Sequence, residues 1–467
     1  MTDATPNHPQ RLWAALGAPR DIAAIAAFRV ALGAIVVISS LRFLSYGWID
    51  ELYNKPGFHL RYWGFAWVPL PSPAVTTALF VATGVLGLLV ALGLFYRPAV
   101  ALLFLAFTYL QLVDVATYLN HYYLVSLFAA LLVFIPAHRA ASLDARLRPA
   151  IRAATLPVWC TYLLRFQVAV AYVNAGLAKA TTDWLVHAQP LNIWLSARTS
   201  LPVVGPYLDL PGVAHVAAWA GFLFDTTIVL FLLWRRTRAV AYLAVLGFHA
   251  ATHFLFPPIG MFPVIMVVAA TVFFDASWPR RWLRAASRPS VVAAPAVQAT
   301  GGGRLRMTAA AAGVYMLVQI LLPLRAHLYG GNVLWHEQGM RFSWRVMARA
   351  KNGSVTFVVR DPRDGRQWHV SPAKYLTPIQ EREMAVQPDL ILQLAHHSAR
   401  EFEAAGRPGV EVHAEAHASL NGRPAALLVD PATDLARERD GIGRKRWILP
   451  APDTEPPHLR RSRSRTL

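Results

Sequence analysis

Up to about residue 328 the chain alternates long apolar stretches with short, arginine-bearing polar loops, and beyond that point it turns into short mixed segments. Runs of about 20 apolar residues are what an α-helix needs to cross a hydrocarbon core. They predict helices near 21–45, 73–96, 98–117, 121–137, 155–180, 212–234, 238–256, 259–275 and 307–327, with a Pro-, Ala- and Gly-rich linker at 285–305 before the last. Downstream, SVTFVVR and RQWHV flank DPRDG and read as a β-hairpin, and Thr377 to Ala405 has helical spacing interrupted at Pro388. Val410, Val412, Ala414, Ala416 and Ala418 then alternate with polar residues before Asn421-Gly422, which predicts a tight hairpin turn into AALLV. The expected fold is mainly α: a polytopic membrane bundle of about nine helices with a small C-terminal α+β extracytoplasmic domain. Its expected divisions are a cytoplasmic N-terminus (1–20), the bundle (21–328), the α+β domain (329–436) and a disordered basic tail (437–467).

Composition strengthens the membrane reading, because 55% of the 467 residues are apolar and only 15% are charged. The formal charge of +19 does not point to nucleic acid, since the basic residues sit mainly in the loops and the tail. Arg11 and Arg20, Arg97, Arg139 to Arg152, Arg235 to Arg238 and Arg280 to Arg306 all fall on one side if the helix count holds. The positive-inside rule makes that side cytoplasmic, so the N-terminus is inside and the C-terminal domain outside. Only five of the 45 basic residues are lysines, an arginine excess that suggests a GC-rich bacterial genome and hence the bacterial cytoplasmic membrane. The single cysteine, Cys160, leaves neither an internal disulfide nor a cysteine-based zinc cluster.

Ionisable side chains inside membrane segments need a partner, a water-filled space or a function. Seven stand out: Arg29, Asp114, Arg165, Lys179, Asp225, His249 and His253. Arg29 or Arg165 paired with Asp114 or Asp225 would tie the bundle together. The turn holding Asn120 and His121, the end of the fifth helix with Lys179, and the outer half of the seventh with His249 all face the extracytoplasmic leaflet. A desolvated lysine there can serve as a base towards a weak acid such as a hydroquinone hydroxyl, and its structural alternative is an interface anchor. His249 and His253 share a helix face, but without a third ligand they do not make a zinc site.

YLNHYYL, AYVNAGLAKATTDWL, the stretch from GFLFD to RTR, FHAATHFLFPPIGMFP and HEQGMRFSWRVM together resemble the vitamin K-dependent γ-carboxylase family, which in bacteria overlaps proteins carrying a horizontally transferred transmembrane (HTTM) domain. The resemblance runs from about residue 20 to about residue 435. It implies a membrane enzyme that oxidises reduced vitamin K with O2 to the epoxide and uses the resulting strong base to deprotonate glutamate for addition of CO2. On this resemblance Lys179 is the base towards the hydroquinone, and Asn120 and His121 orient and stabilise its oxygen. His249 has a supporting role, while Ser343, Trp344 and Met347 cover the quinone. The implied partners are the bilayer, a quinone and a glutamate-containing peptide or protein. The family's animal members have two adjacent lysines where this chain has Ala178-Lys179, and their extracytoplasmic portion is much longer. A quinone- or lipid-modifying enzyme without carboxylation, or a non-enzymatic membrane-binding or transport protein, are the alternative readings.

Overall fold

Two helix backbones touch near the N-terminus because a glycine sits where they meet. A Cβ on Gly33 would lie 2.5 Å from the Gly87 carbonyl oxygen and 2.6 Å from the Ala91 nitrogen, the close approach that small residues allow between membrane helices. These residues belong to α1 (Ala23–Ser45), which follows the short strand β1 (Pro19–Asp21), and to α2 (Pro73–Leu92) in a computed structural model that describes residues 15–282 and 302–458. The bundle continues through α3 (Tyr96–Val113), α4 (Asn120–Phe134), strand β2 (Thr155–Pro157, paired with β1), α5 (Val158–Leu177), α6 (Val213–Leu233), α7 (Arg238–Leu255), α8 (Phe262–Ala270) and α9 (Gly302–Leu324).

A helix therefore stands at each expected position, but among the described residues five qualify as spans by length and apolarity: Ala23–Ser45, Pro73–Leu92, Tyr96–Val113, Val213–Leu233 and Arg306–Tyr329. Both α4 and α8 are short, and α5 and α7 carry polar residues such as Arg165, Gln167 and His249 that dilute their hydropathy. The expected 285–305 linker lies almost entirely outside the described residues.

The charge pairing differs from expectation. Arg29 is fully buried and donates to the carbonyls of Ala137 (3.0 Å), Ala140 (3.3 Å), Ala91 (3.3 Å) and Ala141 (2.5 Å) rather than to an aspartate. Arg165 likewise donates to the carbonyls of Val272, Phe273 and Phe274. Carbonyls left over at helix ends need donors, and a guanidinium supplies several from one side chain.

Asp114 instead joins the bundle to the C-terminal domain. Its carboxylate accepts from Gln380 Nε2 at 2.6 Å and from the Ala116 amide at 2.9 Å, and lies 3.0 Å from His59 Nδ1. A second tie runs from Arg423, whose two terminal nitrogens reach the two oxygens of Asp183 at 2.6 and 2.7 Å, with Asn421 adding a bond at 2.7 Å.

The C-terminal domain is an antiparallel sheet in the order β4-β3-β5-β6, built from β3 (Lys351–Arg360), β4 (Gln367–Val370), β5 (Glu411–Leu420) and β6 (Ala426–Leu427). Two helices, α10 (Pro378–Met384) and α11 (Pro388–Ala404), each start at a proline, where a missing N–H costs nothing, and Pro388 is the expected break. Ala414, Ala416 and Ala418 on β5 are fully buried, as are Leu390 and Leu394 of α11. Asn421 and Gly422 do take left-handed φ angles of 53° and 84°. The hairpin is nevertheless wider than expected, because Ala418 pairs with Ala426.

The segment after residue 436 is not a disordered tail as far as it is described. Trp447 is buried in the domain core, Ile448 bridges Val429, and the Trp335 indole donates to the Leu449 carbonyl at 2.9 Å. Residues 459–467 lie outside the described residues.

Candidate functional site

The crossing of α5 and α6 creates the site. A Cβ on Gly176 would meet Thr226 Cγ2 at 2.5 Å, so the helices run backbone to backbone, and Lys179, just past the end of α5, meets Asp225 of α6. Lys179 Nζ donates to Asp225 Oδ2 at 2.8 Å, to the Ala175 carbonyl at 3.0 Å and to the Val346 carbonyl at 3.4 Å. Its ammonium also lies 5.3 Å from the ring centre of Trp184. Both members of the pair are buried, so this lysine does not snorkel.

A run of ring contacts begins one residue from Asp225, at Phe224. Phe224, beside Asp225, lies edge-on to Tyr172 (5.9 Å) and His249 (6.2 Å), and Tyr172 Oη is 2.8 Å from His249 Nε2. Tyr172 precedes Lys179 by seven residues and so shares its helix face. The Phe262 ring stands between the two histidines, 5.9 Å from His249 and 6.2 Å from His121. His121 is buried. Asn120 sits at the margin, its Oδ1 accepting from Tyr118 Oη at 3.0 Å. His253 is exposed, so it does not join His249.

The loop after α9 closes the site, in an uncommon backbone. Glu337, Phe342, Trp344 and Met347 all have left-handed φ angles, between 50° and 62°. Each such residue costs on the order of 1 kcal/mol or more and persists only where its surroundings hold it. Here they do. Arg341 grips Asp389 through two nitrogens, at 2.6 and 3.2 Å, and also reaches Gln387. Burial alone would raise the Asp389 carboxyl, but Arg341 holds it below the usual carboxylate range. Lys351 donates to the Trp335 and Val386 carbonyls and to Glu337, and burial pushes its pKa down to about 8. The Phe342 amide donates to Tyr118 Oη at 2.8 Å, and Trp344 stacks on Tyr123 with ring centres 5.0 Å apart.

Of the residues singled out in the sequence, His249 and His121 both touch the Phe262 ring, Lys179 pairs with Asp225, and Trp344 stacks on Tyr123. Met347 follows Val346, the carbonyl partner of Lys179. Ser343 donates back to the Met340 carbonyl and lines a separate polar cavity. Sequence reasoning missed Tyr172 and Phe262, and assigned Asp225 to the wrong cation. The seven-residue interval from Tyr172 to Lys179 was the available signal for the first.

A helical membrane bundle with a buried lysine–aspartate pair and a C-terminal sheet domain is the class of protein these features define. The HTTM domain family matches residues 18–278, and the lumenal domain of vitamin K-dependent gamma-carboxylase matches residues 304–454. The chain belongs to the vitamin K-dependent γ-carboxylase family. No solved structure matches it.

Proposed function

We propose that this chain is a membrane-bound γ-glutamyl carboxylase-like enzyme dependent on vitamin K hydroquinone. It acts at the extracytoplasmic face of a bacterial cytoplasmic membrane, with the N-terminus inside and the sheet domain outside. The observation that carries this reading is the buried Lys179–Asp225 pair, held against the Val346 carbonyl of the strained loop.

The residues present fit a quinol. The region is apolar and aromatic, and two of its buried polar atoms, His249 Nδ1 and Trp344 Nε1, have no hydrogen-bond partner. Such atoms cost free energy unless something satisfies them, and a quinol oxygen is a suitable acceptor. With Tyr172 donating to Nε2, the neutral His249 ring carries its proton on the free Nδ1. Oxidation of the quinol by O2 to the epoxide, with release of water, supplies the base that takes a glutamate γ-proton before CO2 adds.

An ammonium alone cannot accept a proton, but a lysine–aspartate pair can take up one. As Nζ receives a proton from the hydroquinone hydroxyl, Asp225 receives one from Nζ, and the pair goes from neutral to singly positive. Carriage of that charge in a dry site is eased by the Val346 and Ala175 carbonyls and by the Trp184 face. His121 and Asn120 lie at the outer end of α4, where a ring N–H and an amide can stabilise the oxygen that loses its proton.

The test is incubation of the purified protein with reduced vitamin K and O2, with and without a glutamate peptide and labelled bicarbonate. Epoxide and labelled peptide are expected. Absence of epoxide from well-folded protein would refute the reading.

A further inference from the structure

Two buried residues of the sheet domain, Leu435 and Trp447, anchor the ends of a basic segment. Between them, residues 437–446 carry five basic side chains against two acidic ones. The segment is a shaped loop rather than a loose one. Lys445 Nζ lies 2.7 Å from Asp440 Oδ1 and donates to the Gly441 carbonyl at 3.3 Å, while Gln338, in the loop after α9, donates to the Gly443 carbonyl at 2.9 Å. The tip that these bonds present is Ile442, 71% exposed.

That tip lies against the bundle. Gly441 and Ile442 share the wall of a cavity of about 460 Å³ with Leu112 at the end of α3, Tyr118 just before α4, Leu322 near the end of α9, and the exposed Trp63. The loop therefore stands where these helices leave the membrane, the level at which tryptophans collect. Arg437 pairs with Asp434 and Lys445 with Asp440, but Arg439, Arg444 and Arg446 are exposed and have no carboxylate within ion-pair distance among the described residues. Exposed arginines alone describe a solvated face. Arginines flanking an exposed isoleucine at the edge of a bilayer match a surface that carries negative charge over hydrocarbon. The positive-inside bias does not account for them, since the proposed orientation puts this loop outside.

We propose that loop 437–446 is a lipid-docking surface: Ile442 enters the outer leaflet at the mouth of the cavity, and Arg439, Arg444 and Arg446 bind the phosphates of anionic phospholipids. The surface ties the sheet domain to the membrane, and it is independent of the quinol chemistry.

The experiment uses the full chain in lipid nanodiscs, with Ile442→Cys carrying an environment-sensitive fluorophore; the native Cys160 is buried. Lipids bearing a nitroxide just below the headgroup quench the fluorophore where the tip meets the bilayer. Strong quenching is expected in phosphatidylglycerol discs and little in phosphatidylcholine discs. Replacing all three arginines (Arg439→Gln, Arg444→Gln and Arg446→Gln) should bring the first down to the level of the second, and high salt should act the same way. The thermal midpoint should stay unchanged, because the three side chains are exposed. In detergent, affinity of the otherwise unsubstituted protein for short-chain phosphatidylglycerol, measured by calorimetry, should fall about a hundredfold in the triple variant, a factor of about five for each basic residue near a charged surface. Glycerol phosphate, the headgroup without its chains, should bind far more weakly than the lipid. Equal quenching in the two kinds of disc, no effect of the three glutamines, or glycerol phosphate binding as tightly as the lipid would overturn the proposal.

Discussion

Lys179 donates to Asp225 at 2.8 Å between α5 and α6, and both side chains are buried. Breaking such a pair costs more than replacing it, because the survivor is left as an uncompensated charge. Asp225→Leu should lower stability by about 3 kcal/mol. Much of that loss should return in the double variant Lys179→Met with Asp225→Leu, while quinol oxidation stays lost. Thermal unfolding of the three proteins checks this, and equal midpoints for the single and double variants would show that the pair is not coupled.

Tyr172 acts through His249, as a positioning residue. Tyr172→Phe keeps the ring contacts with Phe224 but leaves Nε2 without its partner. Loss of one hydrogen bond of about 1 kcal/mol in the transition state predicts a fall in quinol kcat of about fivefold. The quinol KM and the thermal midpoint should change little. A raised KM at constant kcat would instead place Tyr172 in binding.

Lys351 gives stability a pH dependence. In the folded protein it loses its proton near pH 8 because it is buried, whereas its ordinary value is 10.5. Between those values the unfolded chain binds more protons, so this residue makes stability rise with pH across the window. The burden of burying its charge is fully present below pH 8. Thermal midpoints measured from pH 7 to 10 should show the upward contribution in the unsubstituted protein and lose it in Lys351→Met. Identical pH profiles would contradict it.

The elements were largely legible in the sequence because their patterns are local. Apolar run length located the helices, and the alternation from Val410 to Ala418 located β5. Pairing was not legible. Arg29 and Arg165 satisfy helix-end carbonyls, a solution that leaves no partner to read in the chain, and that freed Asp225 for Lys179 and Asp114 for His59 and Gln380. Span count was only partly legible, since short or polar helices such as α4, α5 and α8 share the bundle with the long apolar ones. The stretch beyond residue 436 looked disordered because its order comes from one tryptophan, Trp447, and from contacts with distant strands.

Orientation can be read by labelling. The sole native cysteine, Cys160, is buried, which leaves a quiet background. A cysteine at exposed Ser354 should react from outside intact cells, and one at exposed Arg146 only after permeabilisation. Asn421 is unsuitable as a reporter, being fully buried against Asp183. Reaction of position 354 only after permeabilisation would invert the proposed topology.

The role of Lys179 as the proton acceptor is tested most directly by turnover of reduced vitamin K in Lys179→Arg. Arginine can retain an ion pair with Asp225 and a positive charge in the same place, but its guanidinium stays protonated, so it cannot pass a proton to Asp225 and take up another from the quinol. Epoxide formation should therefore fall to the background of Lys179→Ala, in a protein that folds as the unsubstituted one does. Epoxide formation by well-folded Lys179→Arg at the unsubstituted rate would contradict the assignment of Lys179 as the base.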